Sequence, residues 1–209
     1  MITRSQVPSR LDDEDEDEPK KASTHANPVN ELEMKLLTQR RVLVFGEVND
    51  RLARDVVARL LFLASEADKP IDVYVNSPGG HVESGDSIHD MIRYVDAMAP
   101  VRVIGTGWVA SAGATIFLGA AKERRLCLPN TRFLLHQPLG GVRGRAGDID
   151  IEAREIVKIR ERINRLIARE TGQPYEKVKQ DTERNYWMSA EEAIAYGMVS
   201  RIIQTAREL

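Results

Sequence analysis

Apolar and polar positions recur along this chain with two different periods, and the switch between them lays out a repeated strand-then-helix order. Short apolar runs rich in β-branched residues, Val42–Phe45, Ile71–Val75 and Val101–Gly105, read as strands. Helical spacing follows each of them. Leu52, Val56, Leu60 and Leu63 fall on one helix face after the starting pair Asn49-Asp50. Ile88, Met91, Ile92 and Val95 do the same after the second strand, and Ala112 to Ala121 form a small-residue helix after the third. Arg125–Leu128 and Arg132–Leu135 add two short strands. This alternation predicts an α/β fold, a parallel sheet wrapped by helices, which right-handed crossovers turn into a spiral.

Beyond residue 138 the pattern changes. Leu139 to Gly147 carries too many glycines for an interior strand. It leads into one long amphipathic helix from Asp148 to about Thr171, stopped by Gly172. Ile149, Ala153, Ile156, Ile163 and Ile167 mark its apolar face, and a stripe of that kind on a protruding helix calls for a neighbour. Near the end, Ser189-Ala-Glu-Glu192 reads as a capping box and Gly197 as a helix stop.

Composition narrows the class. With 209 residues, 42% of them hydrophobic, the chain supports one domain with a sizeable core. A net charge of −2 gives no electrostatic case for nucleic acid. The exception is local: Asp12 to Glu18 is an unbroken run of carboxylates that repels itself. Residues 1–30 are therefore expected to form a disordered acidic tail, leaving 31–209 as the folded domain. Val103–Ala121 carries no charge, but its Gly, Ala and Ser content points to a buried core rather than a membrane span. The single Cys127 excludes an internal disulfide and, with no secretory-type start, suits the cytoplasm. His25, His81, His89 and His136 show no ligand spacing, so no metal is expected, and no cofactor or ATP-binding loop is recognisable. His81 reads as a solvated loop residue and His89 as a surface residue.

Candidate chemistry centres on Ser111 and His136. Ser111 stands between a glycine-broken strand and a helix, beside first-turn N–H groups suited to an oxyanion. His136 ends the apolar run Phe133–Leu135 just before Gln137-Pro138, where an imidazole is rigidly mounted yet reachable. Taken singly, the serine serves equally well as an N-cap and the histidine as a structural residue. A third segment shifts the balance. Asn76-Ser-Pro-Gly-Gly80 follows a strand directly, and its glycines let backbone approach a ligand closely.

Asn-Ser-Pro-Gly-Gly at 76–80, Ala-Ser-Ala-Gly-Ala at 110–114, Leu-Pro-Asn at 128–130, His-Gln-Pro-Leu-Gly-Gly at 136–141 and Asp-Thr-Glu-Arg at 181–184 stand in one order. In this the chain resembles the proteolytic subunit of Clp-type ATP-dependent serine proteases, from about Leu36 to Gln204. The resemblance implies a crotonase-like β-β-α superhelix with a protruding helical handle, here about 139–172. It implies a serine endopeptidase with Ser111 as nucleophile, His136 as general base, and an oxyanion hole from the N–H groups of Gly80 and Ala112. It also implies two stacked heptameric rings joined by the handle, and an ATPase unfoldase that delivers unfolded proteins. Strand edges at Gly80-His81-Val82 and at Leu139 to Gly141 would then bind an extended peptide by strand addition.

The chain also departs from the family pattern. Asn185 stands where the family usually carries the aspartate that orients the histidine. Nearby Asp181 is expected to cap or pair instead. In the unfoldase-docking pocket Tyr74 and Tyr94 match aromatic positions, but Asp72 falls where another aromatic is common, at a desolvation cost if an apolar loop docks there. The flexible gate segment is not recognisable around Asn27–Glu33. These departures leave open a weakly active or inactive structural subunit of a mixed barrel, with a second related subunit recruiting the ATPase. A thioester-handling enzyme on the crotonase scaffold explains the glycine N–H pair but leaves Ser111 and His136 idle.

Overall fold

The computed structural model describes residues 28–138, 141 and 143–209. The acidic run Asp12–Glu18 and Leu139 lie outside the described residues. A helix, α1 (Pro28–Thr38), opens the described chain and begins within the last residues assigned to the tail, which ended at residue 30. There follow β1 (Arg41–Phe45), α2 (Asp50–Glu66), β2 (Ile71–Ser77), α3 (Val82–Val95), β3 (Val101–Ala110) and α4 (Ala112–Phe117). The second half contains β4 (Arg125–Cys127), β5 (Arg132–Leu135), α5 (Ala146–Thr171), α6 (Tyr175–Asp181), β6 (Tyr186–Met188), α7 (Ala190–Tyr196) and β7 (Arg201–Ile202).

Strands β1, β2, β3, β4 and β7 lie side by side in that order, all parallel. Strand β3 serves two neighbours in succession. Its residues Val103–Gly105 pair with β4, and Trp108–Ala110 pair with β5. Between these halves Gly107 takes a φ of 61°, and a branch β3–β5–β6 leaves the main sheet there. The last pair, β5 with β6, is antiparallel, a departure from the wholly parallel sheet expected. The result is the β-β-α superhelix.

Helices on the faces of the sheet explain why strand residues such as Val42, Val44, Val73, Val75 and Val103 are fully buried. Val56 and Leu60 of α2 and Ile88, Ile92 and Val95 of α3 complete the same core. The uncharged stretch after Val103 is interior, with Ile116, Phe117 and Leu118 wholly enclosed and Phe117 edge-on to Phe133. Among the described residues no helix is long and apolar enough to cross a membrane. Expected at the surface, His89 is instead 2% exposed. The apolar stripe of α3 is wide enough to draw it inward, and its Nδ1–H donates to the Thr115 carbonyl of α4 at 2.8 Å. Burial pushes its pKa down, which keeps the ring neutral.

Helix α5 is half docked. Ile163, Leu166 and Ile167 are buried against the domain, whereas Ile151 and Val157 stand exposed on the protruding part. Its base is clamped by Arg125, 1% exposed, which donates to the carbonyls of Leu118, Ala120 and Glu170 at 3.0, 2.7 and 2.8 Å and pairs with the Glu170 carboxylate. Burial pushes the Glu170 carboxyl up, but hydrogen bonds from Arg169 and Arg125 outweigh it and hold the group below its ordinary range.

Candidate active site

The loop after β2 is built to lie against Ser111. The buried Ser77 hydroxyl donates to the Gly46 carbonyl at 2.6 Å and accepts the Gly79 N–H at 3.1 Å. This serine had no role assigned from sequence, although Ser-Pro-Gly is a recognisable side-chain-stabilised turn. Gly79 takes a φ of 97°, and a Cβ there would fall 2.5 Å from the Ser111 Cβ. At Gly80, φ 147°, a Cβ would fall 2.3 Å from the Val48 carbonyl oxygen. Val48 donates to Gly79 and accepts from His81, both at 2.8 Å. In this parallel bridge the N–H of Gly80 itself is turned to the other side.

Ser111 has φ 54° and ψ −122°. That conformation costs a residue with a side chain about 1–3 kcal/mol and persists only where neighbours enforce it. Three hydrogen bonds do so. The Ser111 N–H donates to Leu134 of β5 at 3.0 Å, and its carbonyl accepts from Ala114 and Thr115 at 2.9 and 3.2 Å. The alternative of a side-chain N-cap is not met, since the Ser111 side chain makes no cap hydrogen bond. Ala112, as the first residue of α4, has no carbonyl one turn behind it within the helix to accept its N–H.

Just past β5, His136 shares one small pocket with Ser111. The ring is half-buried, and burial pushes its pKa below the ordinary histidine range. Asn185 is exposed, just ahead of β6. Continuing the register Leu135↔Tyr186 by one step sets it opposite His136. The side chains of Ser111, His136 and Asn185 are nevertheless not hydrogen-bonded to one another in this conformation. The segment before Asn185 does hold the chain that carries the ring: Gln137 donates its N–H to Thr182 at 2.7 Å and its side-chain amide to Glu183 at 3.1 Å. Thr182 is anchored in turn by donating to Asn164 of α5 at 2.9 Å. Asp181 is occupied elsewhere, by Lys177 at 2.6 Å and the Tyr196 hydroxyl at 2.9 Å.

Other residues singled out by sequence fall in mixed places. His81 is half-exposed, as expected of a loop, with Nδ1 at 2.8 Å from Ser84 and Nε2 at 3.2 Å from Glu83. Its main-chain N–H goes to Val48 and its carbonyl accepts from Gly85, so neither is available for strand addition. Val82 lines the pocket instead, and Gly141 is exposed. Tyr74 packs on a separate cluster of Ile104, Leu126 and Ile203, whereas Tyr94 stands 68% exposed outside it. Asp72, where a charge was expected to cost desolvation under an apolar loop, is paired: Arg102 donates to it at 2.6 Å. Among the described residues no cluster of metal-binding side chains occurs. Pocket walls from Thr115, Ile163 and Ile167 were not read from sequence as part of the site, since helical spacing marks them only as core.

Comparison with known proteins gives a consistent picture. A family model described as Clp protease matches residues 24–206. The chain is 67% identical to ATP-dependent Clp protease proteolytic subunit 2 of Gluconobacter oxydans, over 100% of this chain and 95% of that protein. It is 54% identical to proteolytic subunit 3 of Rhizobium johnstonii, over 95% of this chain and all of the relative. Among solved structures, ClpP1 from Listeria monocytogenes matches with a TM-score of 0.76 and 52% identity, covering 85% of this chain and 99% of that one. An asparagine-to-aspartate mutant of the same ClpP1 matches with a TM-score of 0.78, covering 84% and 98%. With nearly its whole length matched, the chain belongs to the Clp protease family of serine peptidases.

Proposed function

We propose that Ser111 is the nucleophile of this peptidase, that His136 is its general base, and that the N–H groups of Gly80 and Ala112 form its oxyanion hole. One observation carries this reading. Ser111 is held in a strained backbone conformation at the rim of the pocket it shares with His136, and Gly79 is packed directly against it. His136 takes the hydroxyl proton as Oγ attacks a peptide carbonyl, and returns it to the leaving amine. Because burial lowers its pKa, the ring is in the neutral, proton-accepting form at neutral pH. Asn185 is the third member, its amide oxygen accepting the Nδ1–H and so leaving Nε2 free for Ser111.

The unlinked side chains describe a resting arrangement that assembly closes. The subunits stack as two heptameric rings, with the exposed stripe of α5 covered by the opposite ring, and a separate ATPase unfoldase delivers unfolded polypeptides. Support for the ATPase comes from the relatives, whose names record ATP dependence. Tyr74 and its apolar cluster receive the unfoldase, and the activity is cytoplasmic. A second reading, a weakly active structural subunit beside a more active one in a mixed barrel, draws on Asn185 and its lack of a bond to His136.

A fluorophosphonate probe on the assembled particle tests the assignment. Ser111 becomes labelled, and Ser111→Ala abolishes both labelling and peptide hydrolysis. Hydrolysis that survives Ser111→Ala overturns the nucleophile, and labelling without hydrolysis of any peptide favours the structural subunit.

A further inference from the structure

His81 follows directly on Gly80 at the start of α3, and its imidazole is held by polar side chains that no step of the proposed reaction uses. Nδ1 lies 2.8 Å from the Ser84 hydroxyl and 3.3 Å from an Asp50 carboxylate oxygen, and Nε2 lies 3.2 Å from Glu83. Ser84 is buried and donates its hydroxyl to Asp50 at 2.6 Å. Counting protons along these contacts fixes the charge of the ring. A hydroxyl has one hydrogen and a carboxylate only accepts, so the hydrogen of Ser84 is spent on Asp50 and its oxygen is left to accept from Nδ1. Glu83 also only accepts, so Nε2 must carry a proton as well. A neutral imidazole has one N–H and the imidazolium has two, so only the charged ring makes every contact at once.

The same side chains join the parts that place Gly80. Val48 bonds the main chain on both sides of this glycine, donating to Gly79 and accepting from His81. Asp50, two residues further on, opens α2, while Glu83 and Ser84 lie in the first turn of α3. The ring therefore ties two helix starts together across the turn that carries the Gly80 N–H. From α5, Arg162 pairs with Asp86 of α3 at 3.0 Å and lies within electrostatic reach of Glu83. When His81 loses a proton, Nδ1–H stays on Ser84 and the lone pair of Nε2 is left facing the Glu83 carboxylate. Glu83 is exposed and turns away into solvent, which opens that end of the tie.

We propose that His81 is a positioning residue whose charged form steadies the turn carrying the Gly80 N–H, so that peptide hydrolysis passes through a maximum and steps down to a lower plateau on its alkaline side. The proposal rests on the oxyanion-hole reading above and adds a second histidine to it: His136 must have lost its proton, and His81 must have kept one. Histidine is the side chain that changes charge across neutral pH. Because the ring and Glu83 are both largely in solvent, the step is expected to be about two- to fivefold, the scale of an exposed ion pair. It falls on kcat and leaves KM nearly unchanged, since an oxyanion donor acts on the transition state.

The experiment measures kcat and KM for a fluorogenic peptide from pH 5 to 9 on the full chain, assembled, as wild type, His81→Gln and Glu83→Gln. Both variants are expected to abolish the alkaline step. A glutamine amide at position 81 donates to Ser84 at any pH, and the amide of Glu83→Gln donates to a neutral ring or accepts from a charged one. The acid limb, which belongs to His136, stays in place in both. A wild type without the step, a step carried by KM, or a step that survives in either variant overturns the proposal. Fluorophosphonate labelling of Ser111 in the same samples separates the two levels. Labelling with an unaltered step sinks the role of His81 alone, and absence of labelling sinks the active-site reading beneath it.

Discussion

Asn185→Asp replaces a neutral hydrogen-bond acceptor by a charged one at the site that the β5–β6 register sets opposite His136. In serine-protease triads the reverse change costs roughly 10⁴ in turnover. That corresponds to about 5 kcal/mol of barrier. The gain here is expected to be smaller, about ten- to a hundredfold, because Asn185 is exposed and solvent screens the new charge. The same substitution has a signature in pH. His136 acts as a base only when neutral, so kcat/KM rises through its pKa, and in the wild type burial alone pushes that pKa below the ordinary value of about 6.5. A carboxylate within hydrogen-bonding reach stabilises the imidazolium and raises the pKa. The acid limb of the profile therefore moves to higher pH while the plateau rises. Peptide hydrolysis from pH 5 to 9 on both proteins reads both effects. An unchanged plateau with an unmoved limb would show that Asn185 does not face the ring.

Two further outcomes follow from the backbone and the core. Gly80→Ala forces a Cβ to within 2.3 Å of the Val48 carbonyl at a φ of 147°, so the loop must shift and carry its N–H away from the proposed oxyanion hole. Peptide kinetics should show kcat reduced roughly 10²–10³-fold with the circular dichroism spectrum intact. Arg125→Met leaves Glu170 without its buried partner and three carbonyls without their donor, and thermal or urea unfolding should report a loss of about 3–5 kcal/mol.

Local pattern made much of this protein legible before any coordinates. Runs such as Ile71–Val75 and the spacing of Leu52, Val56, Leu60 and Leu63 fix strands and helices because burial of one face imposes a period on neighbouring residues. Ser111 and His136 stood out because each lies at an element boundary with small or turn-forming neighbours, a property of a few consecutive residues. What the chain could not reveal are pairings between segments far apart in sequence. His89 is buried because Thr115 of another helix offers it a carbonyl, and Asp72 is neutralised because Arg102 lies beside it on the next strand. The antiparallel turn of β6 depends on where α5 and α6 return the chain. The size of the pocket beside Ser111 is set where α4 and α5 meet, and no periodicity within either helix encodes the distance between them. Sequence alone thus determined the elements and nominated the candidate reactive groups, through interactions between near neighbours. Tertiary structure decided how closely those groups approach and how much space they leave, because packing is a sum over contacts that only the folded chain brings together.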